Sequence, residues 1–591
     1  SASRSPMGTG APEEGEERMT HERPWLASYP EGIPEQIDPD AFASIPEVLQ
    51  GAIDQYRDRP AFTNMGVTLT YGDIDRLSRE FAAYLLGELK LRKGDRVAIM
   101  MPNCLQYPIA TFGVLRAGLT VVNVNPMYTA RELRHQITDA CISVLLVLDN
   151  FGHTAQKALA DCEVPHVITT GLGDMLGFPK GAIVNFVVRY IRKMVPDYDI
   201  QGAVRFRDTL AAGRRHAIPE VSISSGDIAF LQYTGGTTGV PKGAMLLHRN
   251  IIANVLQSEA WNQPVMAQVP QGQQSTSVCA LPLYHIFAFT VGMMLNMRTG
   301  GKLILIPNPR DLPSVFKELS GQVFHSFPAV NTLFNALAHH SDFNTVDWSN
   351  LKVSVGGGMA VQKAVARLWL EKTGCPICEG YGLSETSPSA TCNPVTSRTF
   401  SGSIGVPLPS TYIKIIDDHG VEVAEGEPGE IALMGPQVMA GYWQRPEETA
   451  MVMTKDGYFR TGDIGVMDAR GYTRIVDRKK DMIKTGGENV ASVRVESVLL
   501  AHPAVAGVGV VGLPHPRWIE AVCAFVVKKP DADADEAALL AHCREHLGDF
   551  EVPKLIHFVP ELPATSTGKV RKNLLREQFA EMAEQAFSDG R

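Results

Sequence analysis

The sequence predicts an α/β protein built from more than one structural unit, and three observations carry that prediction. Helical and strand-like patterns alternate from Trp25 to about Ile223, as expected for sheets layered with helices. Strand-like runs such as Leu351-Lys352-Val353-Ser354-Val355 end in glycine, here Gly356-Gly357-Gly358, and the carboxyl ends of strands are where such sheets bind ligands. A charged run, Val476-Asp477-Arg478-Lys479-Lys480-Asp481, separates this region from a C-terminal stretch that alternates again. With 591 residues and 45% apolar content, the chain can bury a large core divided among units.

In chain order, residues 1–18 are rich in Ser, Gly, Pro and Glu without an apolar period. They read as a disordered extension or an expression remnant, with Met19 as a natural start. Tyr71 to Leu86 is spaced as an amphipathic helix and Arg96 to Met101 as a buried strand. Thr129-Ala130-Arg131-Glu132 is a capping box that opens a helix after Asn125-Pro126. Lys180 to Val195 places Ile183, Val184, Val187, Val188, Ile191, Met194 and Val195 on one helical face, with Arg189, Arg192 and Lys193 largely off it. Such a basic amphipathic helix packs on its own core or lies on an anionic membrane surface. Ile228 to Gln232 is an apolar strand leading into a glycine-rich loop and then a helix. Val278 to Leu283 reads as a strand entering Tyr284-His285-Ile286-Phe287, and Ile413 to Val476 as a smaller β-rich unit.

Composition excludes several classes. A net charge of −9 with Lys and Arg scattered gives no nucleic-acid footprint. Apolar runs stop short of the ~18 to 20 residues that span a bilayer, and no charged-then-apolar signal opens the chain, so a cytoplasmic protein is expected. Nine dispersed cysteines fit free, buried thiols in a reducing compartment. Cys375 and Cys378 have CxxC spacing, but no second pair or nearby His completes a zinc site.

The chemistry concentrates in Tyr233-Thr234-Gly235-Gly236-Thr237-Thr238-Gly239-Val240-Pro241-Lys242-Gly243. Three glycines let backbone approach a ligand, three threonines offer hydroxyls and Lys242 a positive charge, which is the inventory of a phosphate cradle. It is not a Walker loop: Pro241 precedes the lysine, and Gly243-Ala244 stand where the Mg²⁺-binding hydroxyl should be. The string resembles instead the signature of the adenylate-forming enzymes, a superfamily that includes acyl-CoA synthetases, luciferases and peptide-synthetase adenylation domains. Further strings extend the resemblance from about residue 25 to 580. Glu379-Gly380-Tyr381-Gly382-Leu383-Ser384-Glu385 is similar to the second signature, with Ser384 replacing the usual threonine. Tyr458-Phe459-Arg460-Thr461-Gly462-Asp463 resembles the third, and Pro563-Ala564-Thr565-Ser566-Thr567-Gly568-Lys569 the last.

The resemblance implies a large N-terminal domain of two α/β sheets layered with helices plus a small β-rich subdomain, followed by a smaller, mobile α+β C-terminal domain. Boundaries are expected at residues 19–476 and 482–591, with a hinge over 477–481 centred on Lys480, a position that otherwise reads as an exposed linker charge. ATP or AMP is expected on Thr234, Gly235, Gly236, Thr237, Thr238, Gly239, Gly358, Glu379, Gly380, Tyr381, Gly382 and Ser384, with Asp463 on the ribose hydroxyls and Arg478 in support. Thr234 and Glu385 are expected at Mg²⁺, and Lys242, Glu385 and Lys569 in catalysis. The chemistry needs those charges, because a carboxylate attacking an α-phosphate brings like charges together. No side-chain nucleophile is required, and no Gly-x-Ser-x-Gly elbow is present.

Phe62 to Gly66, Val122 to Tyr128, Ala280 to Phe287 and Gly435 to Trp443 look like the bacterial long-chain fatty acid CoA ligases. That implies ligation of a medium or long fatty acid to coenzyme A through an acyl-adenylate. An adenylate-forming ligase for another carboxylic acid or a carrier-protein acceptor is the alternative. Gly486 and Gly487 would admit the pantetheine arm, although Gly487-Glu488-Asn489-Val490 departs from the Gly-Phe-Asn-Val common in those ligases. His285 is expected at the carboxylate end of the acyl site, or else is a buried structural histidine. Peripheral contact with the inner face of the cell membrane through residues 180–195, and a homodimer, are left open.

Overall fold

The computed structural model describes residues 23–234, 241–530, 532–565 and 568–588. The large N-terminal domain holds two mostly parallel sheets. The first orders its strands as Val204–Arg205, His166–Thr170, Val144–Leu148, Arg96–Met100, Thr120–Asn123, Ile228–Tyr233 and Gly243–Leu247, and only the last is antiparallel to its neighbour. All five residues of Val144–Leu148 are buried, because a parallel sheet covered on both faces demands a continuous apolar run. The second, nine-stranded sheet runs through Ile377–Gly382, Val353–Gly356, Ser326–Ala329, Thr276–Cys279, Lys302–Leu305 and Pro60–Asn64 as a parallel core, with antiparallel strands at both edges.

The two sheets share one core cluster, which contains Val97 and Val121 of the first, Leu303 and Leu305 of the second, and residues of the Gln106–Arg116 helix. Every residue of that helix from Gln106 to Leu115 is buried, the pattern of a helix enclosed on all sides. Its Tyr107 hydroxyl sits 2.6 Å from Asn123 Oδ1 in the first sheet and 2.8 Å from the Leu283 carbonyl beside the second. Asn103 donates to the carbonyls of Cys279 and Leu281 and accepts from Leu283 N–H. Together these bonds fix the segment that carries His285.

A four-stranded antiparallel sheet, Tyr412–Ile416, Gly429–Met434, Phe459–Met467 and Thr473–Arg478, forms the β-rich unit expected between Ile413 and Val476. The smaller C-terminal domain has its own sheet, in which Val505–His515 and Ile519–Lys528 pair over ten positions and helices Ser492–Leu500 and Lys572–Ser588 pack alongside. Among the described residues no helix is long and apolar enough to cross a membrane.

Local predictions hold where caps define them. Thr129 and Glu132 form the reciprocal capping box, and the Tyr71 helix runs to Ala83 behind a second box from Thr70 and Asp73 before a wider turn at Tyr84–Glu88. Three expectations are corrected. The glycine-rich loop is followed first by a strand, Gly243–Leu247, and only then by the His248–Met266 helix. The apolar run Ala244 to Leu247 closes a hairpin against Ile228–Tyr233, so the cradle caps a hairpin rather than a strand-to-helix turn. The strand expected over Val278–Leu283 ends at Cys279, because Pro282 has no N–H to offer a ladder and Asn103 takes the next carbonyls. The apolar face of residues 180–195 is divided: Val184, Val188 and Val195 turn inward, while Ile183, Phe186, Tyr190, Ile191 and Met194 are exposed.

Candidate active site

The site grows from the carboxyl end of Ile377–Gly382, the last parallel strand of the second sheet. Past Glu379 this strand leaves its parallel neighbour and pairs antiparallel with Ser389–Cys392, which carries Gly380, Tyr381 and Gly382 across the sheet edge. A Cβ on Gly382 would stand 1.8 Å from the Pro388 carbonyl oxygen, so only glycine fits there. The Tyr381 hydroxyl then donates to Asp463 Oδ2 at 2.6 Å, and Arg478 Nε lies 3.1 Å from Asp463 Oδ1. Asp463 and Arg478 are register partners in the four-stranded sheet. The sequence motifs separated along the chain thus meet at one buried carboxylate.

Glu385 follows Ser384 on a short turn and is buried. Burial raises its carboxyl above the ordinary range, and the Tyr442 hydroxyl opposes that by donating to Oε1 at 2.7 Å. Tyr442 is held by backbone stitching: Met439 N–H donates to the Glu385 carbonyl, Met245 N–H to Gly441 and Trp443 N–H to Gly243, each at 2.8 Å. Lys242 Nζ lies 5.2 Å from the centre of the same tyrosine ring, within cation–π range, and forms an ion pair with Glu448. Thr234 N–H donates to the Lys242 carbonyl at 2.9 Å and closes the base of the hairpin. Gly235, Gly236, Thr237, Thr238 and Gly239 lie outside the described residues.

A cleft opens beside these groups, lined by Trp261, His285, Phe287, Gly358, Tyr381 and others. Gly358 has φ +77°, and a Cβ on the neighbouring Gly357 would meet the Phe287 ring at 2.9 Å, so glycine keeps this wall open. Burial lowers the His285 imidazole below its usual range, which keeps the ring neutral at the cavity wall. Glu379 lies behind the wall: Oε1 accepts from Val361 N–H at 3.2 Å, Oε2 has no partner among the described residues, and burial pushes the carboxyl up to about 7.

Residues 49–443 match the family model described as AMP-binding enzyme, and residues 494–569 match that of its C-terminal domain. The chain belongs to the AMP-binding enzyme family. It is 50% identical to a long-chain-fatty-acid–CoA ligase of Yersinia pestis and 48% identical to one of Escherichia coli O157:H7, each over 94% of this chain and 98% of the relative. Among solved structures, ATP-bound MatB from Rhodopseudomonas palustris superposes with a TM-score of 0.76 at 28% identity, covering 91% of this chain and 99% of that one.

In this AMP-binding enzyme the last motif comes from the small domain and reaches the large one. A Cβ on Gly568 would lie 3.5 Å from Thr332 Oγ1 at the start of the Asn331–His339 helix. Lys569 is braced by Thr565, whose N–H donates to the Lys569 carbonyl at 2.8 Å and whose hydroxyl accepts from Lys569 N–H at 3.1 Å. Burial lowers the Lys569 ammonium to about 8, the Arg478 charge adds to that, and Asp463 opposes it. Those influences put Lys569 in the field of the Asp463 cluster. Gly486 and Gly487, with φ +59° and +90°, form a hairpin tip whose contacts are local: Gly486 N–H donates to the Trp518 carbonyl at 3.1 Å. The structure therefore brings together Lys242, Gly358, Gly380, Tyr381, Gly382, Ser384, Glu385, Asp463, Arg478 and Lys569, and leaves the Gly486–Gly487 tip within its own domain.

The side chains of Lys479 and Asp481, on either side of Lys480, pair with different domains, while the Asp481 N–H still donates to the Arg478 carbonyl at 2.9 Å. Lys479 N–H donates to the Gly462 carbonyl, and its ammonium pairs with Glu430 and Asp418 of the large domain. Asp481 pairs with Arg576 of the small domain's last helix at 2.9 Å. Lys480 is the residue between. Sequence reasoning gave no role to Tyr442 or Glu448, although Tyr442 fell within a quoted string. No local signal marks either one, because each acts through a partner at least 57 residues away.

Proposed function

We propose that this protein ligates medium- to long-chain fatty acids to coenzyme A in two half-reactions at one site, using ATP. The observation that carries the proposal is the buried Asp463 carboxylate, held by Arg478 and by Tyr381 of the cleft wall and with Lys569 in its field, in a chain half identical to long-chain-fatty-acid–CoA ligases. In the first half-reaction the fatty carboxylate oxygen attacks the α-phosphorus of ATP, and the bond to the β-phosphate breaks, releasing pyrophosphate. Asp463 accepts the ribose hydroxyls beside Arg478, the Gly380–Gly382 backbone borders adenine, and the Ser384 hydroxyl faces the α-phosphate. Lys242 and the cradle hold the departing pyrophosphate, while Lys569 neutralises charge between the reacting oxygens. In the second, the CoA sulfur attacks the acyl carbon, the acyl–phosphate oxygen bond breaks, and AMP leaves.

Mg²⁺ fits this donor set as a shared ion. Among the described residues no group of three or more His, Cys, Asp or Glu could hold a metal, whereas a single buried carboxylate, Glu385, with the Thr234 hydroxyl as a second oxygen donor, would suit an ion that arrives on nucleotide phosphates. Bound there, it would neutralise phosphate charge as a Lewis acid. Rotation of the small domain about Lys480 would withdraw Lys569 and present Gly486 and Gly487 for thioester formation. The contacts that tie Lys479 to one domain and Asp481 to the other support that pivot. A domain boundary at 477–481 follows from the same reading.

The test is fatty-acid-dependent exchange of labelled pyrophosphate into ATP, followed by thioester detection with CoA, across chain lengths from C6 to C18. Absence of exchange with every acid would refute the ligase reading. Exchange with aromatic or short acids alone would refute the long-chain preference.

The exposed face of residues 178–194 supports a peripheral membrane contact. Phe178, Ile183, Phe186, Tyr190, Ile191 and Met194 are each more than half exposed, beside Lys180, Arg192 and Lys193. Apolar area flanked by cations fits an anionic interface. Co-sedimentation with anionic vesicles should be lost on replacing Phe186, Tyr190 and Ile191 by serine, and retention of binding would refute this contact.

A further inference from the structure

A buried carboxylate crosses the pivot, and the chemistry described so far makes no use of it. Asp477 is the penultimate residue of the Thr473–Arg478 strand and faces Ile464 in register, so its backbone belongs to the sheet of the large domain. Its side chain is 2% exposed and leaves that sheet. Oδ2 accepts from Ser492 N–H at 2.5 Å, from the Ser492 hydroxyl at 2.6 Å and from Val493 N–H at 3.4 Å. Oδ1 accepts from Arg478 N–H at 2.7 Å. Ser492 and Val493 open the Ser492–Leu500 helix, whose Val495 and Leu499 are buried in the small domain's core. The first turn of that helix has free N–H groups and a positive dipole end, and the carboxylate that satisfies them comes from the other domain.

The contact extends inward. The Ser492 hydroxyl, having donated to Asp477, accepts from Lys572 Nζ at 2.6 Å, and Lys572 pairs with Glu496 at 2.9 Å. Ser492 is fully buried and Lys572 nearly so. A rotation about Lys480 leaves Asp477 with its sheet and carries Ser492, Glu496 and Lys572 away. The bonds to Asp477 therefore exist only in the arrangement seen here, in which Lys569 lies in the field of Asp463 and Gly568 rests against Thr332.

We infer that Asp477 and Ser492 form a clasp across the pivot that positions Lys569 for the adenylation half-reaction and opens before thioester formation. Both are positioning residues, acting on the chemistry through Lys569, and the inference rests on the proposed roles of Lys569 and of rotation. Hydrogen bonds to a charged acceptor each change an equilibrium by roughly tenfold to hundredfold, so breaking the clasp shifts the balance between arrangements by that order.

The experiment uses the full chain carrying Ser492→Ala, Ser492→Thr or Asp477→Asn, with thermal unfolding to confirm folding. Pyrophosphate exchange reads the first half-reaction, and thioester formation from supplied acyl-AMP and CoA reads the second. Ser492→Ala and Asp477→Asn should slow exchange at least tenfold while leaving thioester formation unchanged or faster, and Ser492→Thr, which keeps the hydroxyl, should restore exchange. Equal loss of both half-reactions in a folded variant, or loss of neither, overturns the clasp. Should Ser492→Ala not fold, Asp477→Asn decides on the same two readouts. Lys569→Ala run in parallel separates the two ideas. If it too lowers both half-reactions equally, the rotation reading fails; if it splits them and the clasp variants do not, the clasp alone fails.

Discussion

Lys569 offers the sharpest test of the site because its titration falls within an accessible range. An exposed lysine holds its proton to about pH 10.4, but burial, reinforced by Arg478, brings this one to about 8. The sign follows from the charge type: desolvation penalises the ammonium, so the cation is present below about pH 8 and lost above it. With that midpoint about nine-tenths of the enzyme carries the charge at pH 7 and about one-tenth at pH 9, so kcat/KM for adenylation should fall about tenfold across the interval. The parameter to follow is kcat/KM, which reports the free enzyme, since bound triphosphate would itself raise the lysine's pKa. Pyrophosphate exchange is the assay, because it leaves out the CoA thiol, whose own ionisation in the alkaline range would distort the overall reaction. Lys569→Arg, charged at all accessible pH, should remove the alkaline limb at reduced rate. A flat profile to pH 10 in the wild type, or a limb at pH 8 that survives in Lys569→Arg, would refute the assignment of that limb to Lys569.

Three further outcomes follow from named contacts. Tyr442→Phe removes the hydroxyl that satisfies buried Glu385 Oε1, and an unpaired buried acceptor costs ~1–3 kcal/mol. The Glu385 carboxyl rises further, so the Mg²⁺ concentration for half-maximal exchange should increase several-fold, and an unchanged Mg²⁺ dependence counts against Glu385 as the metal carboxylate. Glu448→Gln frees Lys242 from a partly exposed ion pair worth ~0.2–1 kcal/mol, so KM for ATP should fall by up to about fivefold; a rise would show that Glu448 presents the lysine to phosphate rather than competing with it. Ile519 is β-branched, 70% exposed and held at φ +71°, a conformation that costs such a residue ~1–2 kcal/mol. After the extra chain entropy of glycine, Ile519→Gly should stabilise the small domain by ~0.5–1 kcal/mol, read as a higher unfolding midpoint, and a lower midpoint contradicts it.

What was legible in the sequence was contiguous. Gly382, Glu385, Asp463 and Lys569 each sit in a short string whose residue types and order carry their own meaning, and the alternation of patterns gave the layered fold. The capping box at Thr129 was readable for the same reason, since both partners lie within one turn. Tyr442 on Glu385 and Glu448 on Lys242 were not readable: each pair joins segments whose proximity exists only after the hairpin at Gly243–Leu247 has been stitched to residues 439–443. The hairpin itself was misread as a strand-to-helix turn because four apolar residues satisfy either period until a pairing partner is known.

The same limit governs the Lys180–Val195 segment, and there it bears on function. Periodicity identified a broad apolar arc, but an arc has no direction until a core is placed against it. The core takes up Val184; Val187, Val188 and Val195 are only half-buried, and Arg189 is spent on Asp149 at 3.7 Å, while Phe186 and Tyr190, which the sequence reading left off the face, complete an outward stripe with Ile183, Ile191 and Met194. A helix that is apolar on both sides has more surface to cover than its own domain supplies. The inward half explains why the segment folds as a helix at all, and the outward half stays exposed. The apolar stripe and the exposed cations Arg192 and Lys193 are therefore separable in experiment: serine at Phe186, Tyr190 and Ile191 should remove apolar insertion, whereas neutralising the two cations should remove only the salt-sensitive part of any vesicle binding.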